Sequence, residues 1–151
     1  MKALLDTHTW LWMAADPDRL SGQVRALVAE RGTTLCLSAA SGWELALLWK
    51  LGRVGLPDHS SRFVPETCAK LDVAILPIHL DVAVAAATLP QHHRDPFDRI
   101  LVATALLENL TLFSVTSAWT LTEFGVSGSK RIPCEPFDSR FLGSRFHTFV
   151  L

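Results

Sequence analysis

Apolar and polar positions alternate between two periods along this chain, and the switches mark its elements. Ala3, Leu4 and Leu5 form an unbroken apolar run that stops at Asp6, the pattern of a strand buried on both faces. A helix follows, starting near Thr7 to Trp10, and Asp16-Pro17-Asp18 breaks it. Ser21 is placed to cap a second helix that runs through Glu30 and closes at Arg31-Gly32. Residues 34–37 read as a second strand. Ser38 or Ser41 then opens a helix that is apolar almost all round, with Trp43, Leu45, Ala46, Leu47, Leu48, Trp49 and Leu51 before Gly52. Such a helix is expected to be buried on several sides.

Residues 55–58 read as a loop, 60–71 as a helix interrupted or begun near Pro65, and 73–76 as a third strand. The Ala-rich stretch 80–89 is helical and ends before Pro90. Asp95-Pro96 starts the next helix, with the acid at the cap and proline at the first helical position, running to about Asn109. Residues 111–115 make a fourth strand. Strands alternating with helices predict an α/β fold, a three-layer α/β/α sandwich around a mainly parallel central sheet. Ligands in such folds bind at the carboxyl ends of the strands, where Asp6 stands. From about Gly125 the pattern decays into Gly, Ser, Pro and isolated aromatics. The chain therefore divides into a domain over residues 1–124 and a tail over 125–151 without an assigned role.

Composition narrows the class without naming an activity. The 151 residues suffice for one domain with a real core. Hydrophobic residues make up 49% and charged ones 19%, which excludes a disordered chain. A formal charge of −1 provides no global attraction for nucleic acid, so such binding would need a local basic patch or metal ions facing phosphate. Cys36, Cys68 and Cys134 are odd in number and form no C-x-x-C, which argues against a disulfide framework or a zinc site. One Lys followed by Asp6 and His8 does not make a signal peptide, and no span reaches transmembrane length. The expectation is a cytoplasmic protein with no membrane association.

Chemistry concentrates in acids at the starts of apolar elements: Asp6, Glu44, Asp95 and Asp98. Each has a local reading. Ser41-x-x-Glu44 has the spacing of a capping box, Asp95 of a helix cap, and Asp6 of a strand-to-helix turn. The topology nevertheless brings a strand end and two helix starts to one edge of the sheet. Carboxylates gathered without cysteine or paired histidine ligands suit Mg²⁺ or Mn²⁺, and such an ion can activate water against a phosphodiester.

Around these acids the chain resembles the PIN-domain ribonucleases, in particular the VapC toxins of type II toxin–antitoxin pairs. The resemblance rests on Leu4-Leu5-Asp6-Thr7-His8, on the stretch from Leu37 to Ala46 containing Ser41-Gly42-Trp43-Glu44, on Leu76-Pro77-Ile78, and on the stretch from Leu89 to Ala105 containing Asp95-Pro96-Phe97-Asp98-Arg99. It implies a divalent-metal-dependent endoribonuclease toxin, held by a cognate antitoxin and commonly homodimeric. Asp6, Glu44 and Asp98 correspond to the family's catalytic metal acids, with Asp95 an additional acid that coordinates or caps. Where the family carries a further acid this chain has Thr116, which puts a second metal position in doubt, and the tail departs from the family pattern. The alternative is a catalytically weakened PIN-like module that binds RNA or protein; a metal-dependent phosphatase is a third reading. His92, His93 and Arg94 precede the acidic helix and either contact RNA phosphates or lie in a solvated loop. His8 faces the site or bonds locally. Trp10, Trp12, Trp43 and Trp49 serve the core or an apolar groove for a partner helix.

Overall fold

The computed structural model describes residues 1–90, 95–114 and 118–119. Strand β1 (Lys2–Leu5) is followed by α1 (Thr7–Ala15), a 3₁₀ turn at Pro17–Arg19, α2 (Gly22–Ala29), β2 (Thr34–Ser38), α3 (Ala39–Lys50), α4 (Ser60–Lys70) and β3 (Val73–Leu76). Then come α5 (Leu80–Thr88), α6 (Pro96–Leu107), β4 (Thr111–Phe113) and β5 (Ala118–Trp119). The sheet runs β3-β2-β1-β4-β5, with the first four strands parallel and β5 antiparallel to β4.

β1 lies in the middle, and its register pairs Leu5 with Leu37 on one side and with Phe113 on the other. Because successive strand side chains point to opposite faces, the apolar run splits into two cores. Ala3, Leu5, Leu35, Leu37 and Phe113 pack with Trp10, Met13, Val24, Leu45, Val64 and Cys68 of the helices α1 to α4. Leu4, Cys36 and Leu112 face the other way onto Val82, Ala85 and Ala86 of α5 and Leu101, Val102 and Ala105 of α6. The inner positions of β1, β2 and β4 are apolar on both faces because helices cover both, whereas Ile75 of the edge strand β3 is exposed.

The predicted elements appear with five corrections. Ser38, not Ser41, caps α3: its hydroxyl accepts from the Ala40 N–H at 3.2 Å. Ser41 is fully buried inside the helix, and its hydroxyl has no hydrogen-bond partner among the described residues, so the capping-box reading of Ser41 and Glu44 fails. The expectation that α3 is buried on several sides also fails, since Trp43 is 54% and Leu51 64% exposed, with Leu47 between them also on the surface. Those three residues repeat every fourth position and so lie along one face. Pro65 stands within α4 rather than at its boundary, because Val64 and Cys68 on either side of it are anchored in the core. β4 ends at Phe113 and not at 115, with Val115 outside the described residues, and β5 is an edge strand that its sequence did not announce. The proposed boundary at 124 and the tail 125–151 likewise lie outside the described residues. Among the described residues no helix is long and apolar enough to cross a membrane.

Candidate active site

The chain leaves β1 toward β2 on one side and returns to β4 on the other, so the strand order reverses beside β1. Such a switch point opens a crevice at the strand carboxyl ends. Asp6 is the first residue beyond β1, and its N–H donates to the Phe113 carbonyl at 2.9 Å, joining the two sides of the switch. Its side chain caps α1, with Oδ1 accepting from the Thr9 N–H at 2.7 Å. The local and the functional readings of Asp6 are thus compatible: one oxygen serves the helix, and Oδ2 has no bond among the described residues.

Glu44 arrives from α3, which begins directly after β2 and hence at the same edge. The Thr7 hydroxyl donates to Glu44 Oε2 at 2.5 Å, and Thr7 is 3% exposed. A buried hydroxyl bonded to a carboxylate is short and strong because the acceptor is charged. It also fixes one of the two oxygens of Glu44 beside the residue that follows Asp6. α6 starts at this edge too, since it runs back to the opposite edge to enter β4. Its first turn carries Asp98, an exposed residue. The rings of Trp43 and Phe97 meet edge to face with centroids 4.9 Å apart, so the residues immediately preceding Glu44 and Asp98 hold their two helices together. Asp95 caps α6, accepting from the Phe97 N–H at 2.8 Å, as its sequence position predicted.

Asp6, Glu44 and Asp98 therefore lie toward one end of the sheet, with Asp6 capping α1 and Asp98 in the first turn of α6, where the helix dipole favours negative charge, and Glu44 in the second turn of α3. Among the described residues, however, no three His, Cys, Asp or Glu side chains converge closely enough to enclose an ion. The donors are hard oxygens, the type Mg²⁺ and Mn²⁺ prefer, and Mg²⁺ needs only one or two carboxylates when water and substrate phosphate complete its shell. The residues fit such an ion in kind. His92, His93, Arg94 and Thr116 lie outside the described residues, and His8 is exposed on α1.

Sequence reasoning missed three residues that organise this edge: Thr7, Phe97 and Arg99. Thr7 and Phe97 each adjoin an acid, but neither residue type signals such a role by itself. Arg99 donates to four main-chain carbonyls around the end of α5, a role that depends on tertiary placement. Away from the site, burial pushes the thiols of Cys36 and Cys68 up from the ordinary range, with Lys2 opposing this at Cys36.

Comparison with known proteins agrees with this architecture. Residues 3–117 match the PIN domain. Over 105 residues the chain is 33% identical to Ribonuclease VapC22 of Mycobacterium tuberculosis, covering 68% of this chain and 78% of that protein. Ribonuclease VapC16 of the same organism is 33% identical over 64 residues, covering 42% and 44%. Among solved structures, a toxin–antitoxin complex from Klebsiella pneumoniae superposes with a TM-score of 0.50 at 22% identity, over 74% of this chain and 84% of that one. VapBC2 from Rickettsia felis, bound to a DNA fragment from their promoter, gives 0.54 at 15% identity over 74% and 86%. At these identities the two structures speak for the fold.

Proposed function

This chain belongs to the PIN-domain family, and from that premise we propose that it is a divalent-metal-dependent endoribonuclease, the toxin of a toxin–antitoxin pair. The observation that carries the reading is the position of Asp6 at the switch point, with Glu44 tied beside it through Thr7. Asp6, Glu44 and Asp98 would hold Mg²⁺ or Mn²⁺. Asp95 is occupied as a cap by one oxygen and acts chiefly on the helix. A bound ion of this kind supplies an activated water and neutralises charge on the phosphoryl group under attack.

The chain's own residues supply position. Thr7 restrains Glu44, the Asp6 cap ties its carboxylate to α1, and the Trp43–Phe97 contact sets α6 against α3. His92, His93 and Arg94, next to the acidic helix in sequence, would contact RNA phosphates. The partner is a cognate antitoxin, and the exposed row of Trp43, Leu47 and Leu51 suits an amphipathic helix laid across α3. The chain itself would pair as a homodimer.

The test is cleavage of structured RNA by the purified protein with Mg²⁺ or Mn²⁺, with EDTA as control and a small phosphoester as counter-substrate. RNA cleavage that EDTA abolishes is expected. RNA binding without cleavage would replace this reading with that of a weakened PIN-like module, which Thr116 favours; turnover of the small ester alone would make the protein a phosphatase.

A further inference from the structure

Phe97, Asp98 and Arg99 follow one another in the first turn of α6 and do three different things. Phe97 packs on Trp43 of α3, and Asp98 is a proposed metal ligand. Arg99 reaches the other way, to the end of α5. Its Nε donates to the Ala86 carbonyl at 2.9 Å, Nη1 to Pro90 at 3.0 Å, and Nη2 to Leu89 at 2.6 Å and to Ala87 at 3.3 Å.

Ala86 and Ala87 belong to the last turn of α5, where carbonyls lack intrahelical partners and the dipole attracts a cation. Leu89 and Pro90 are the residues that lead out of that turn. Only a guanidinium, with five donors in a rigid fork, can serve four such acceptors at once. The turn that bears Asp98 is consequently held from two sides, to α3 by Phe97 and to α5 by Arg99. Farther along, Leu101, Val102, Ala103 and Ala105 bury the rest of α6, so the helix is anchored whether or not Arg99 is present.

We propose that Arg99 is a positioning residue of the nuclease site: by fastening the first turn of α6 to the end of α5 it fixes where Asp98 stands relative to Asp6 and Glu44. This rests on the nuclease reading above. Without the fork, α6 stays docked while its first turn is free to shift on the Phe97 contact, and Asp98 shifts with it.

The experiment compares the parent with Arg99→Gln and Arg99→Lys, measuring Mn²⁺ affinity by calorimetry, single-turnover RNA cleavage and thermal melting, all binding and rates well below the melting transitions. Arg99→Gln should remain folded yet lose about 10-fold in both Mn²⁺ affinity and cleavage, the scale on which residues that orient metal ligands act. Arg99→Lys, which keeps the charge without the fork, should recover part of each. If folded variants melt earlier but bind Mn²⁺ and cleave as the parent does, Arg99 is only a fastening between helices and the inference is wrong. Should Arg99→Gln fail to fold, Arg99→Lys decides by the same comparison. A parent that neither binds Mn²⁺ nor cleaves RNA overturns the nuclease reading and this inference with it, whereas a competent parent with unchanged variants overturns the inference alone.

Discussion

The hydroxyl of Thr7 lies 2.5 Å from Glu44 Oε2, although 37 positions separate the two residues along the chain. Thr7 is buried while Glu44 is partly open, so the bond ties an orienting group inside the fold to an acid at its surface. Thr7→Val keeps the shape and removes the donor. It should lower RNA cleavage about 10-fold and cost about 1 kcal/mol of stability, read from cleavage rates and urea unfolding. A Thr7→Val protein as active as the parent would show that Glu44 needs no such restraint.

Asp6 combines a cap with a proposed ligand, and two substitutions separate these uses. Asp6→Asn retains an oxygen for the Thr9 N–H and should stay within a few tenths of a kcal/mol of the parent in stability, since Asn and Asp cap about equally well. It should still abolish cleavage. Asp6→Ala should lose cleavage and in addition about 0.5–2 kcal/mol. Full activity in a folded Asp6→Asn protein would remove Asp6 from the metal site.

The resemblance to the PIN family sets Thr116, which lies outside the described residues, against a further acid of the family, and on that correspondence the proposed site is short of one negative charge. Mn²⁺ binding to the parent should therefore be weak, and Thr116→Asp should tighten it, as charge count tunes the affinity of carboxylate sites. Calorimetric titration of both proteins checks this. Equal affinities would mean that the correspondence beyond β4 has to be redrawn.

Cys36 and Cys68 are buried and free, and burial raises both thiols above the value they have in the unfolded chain. Their contribution to stability is fully present below the unfolded thiol value, about pH 8.5. It is lost as the pH climbs from there toward the folded values, because the unfolded state sheds its protons first. The urea midpoint should fall across this range, and the fall should flatten when both residues are alanine. With no tyrosine in the chain, no phenol titrates in the same window. An equal slope in the double variant would assign the loss to other groups.

Much of this fold could be read from local pattern, and the exceptions have physical causes. The strands at residues 2–5 and 73–76 needed only their apolar runs, and the cap at Asp95 only the Asp-Pro pair. Ser41 misled because a serine at a helix start is normally a cap, whereas tertiary packing buried this one and the preceding Ser38 took the role. The three acids proposed as ligands could be singled out because an acid beside an apolar run is expensive to bury, although Asp98 stands exposed. Their organisers could not: the Thr7 bond, the Phe97 ring contact and the Arg99 grip all join residues distant in sequence, and none changes the local hydrophobic period.

The central place of β1 also bears on how the protein is made. Synthesised ahead of the other strands, β1 can pair with β2 early, but its other edge and the main-chain acceptor of Asp6, the Phe113 carbonyl, come only with β4. At about 5–20 residues per second, the nascent chain spends seconds with an unfinished sheet and the crevice beside Asp6 still open on one side. Assembly of the crevice is thereby deferred until nearly the whole PIN domain has been synthesised.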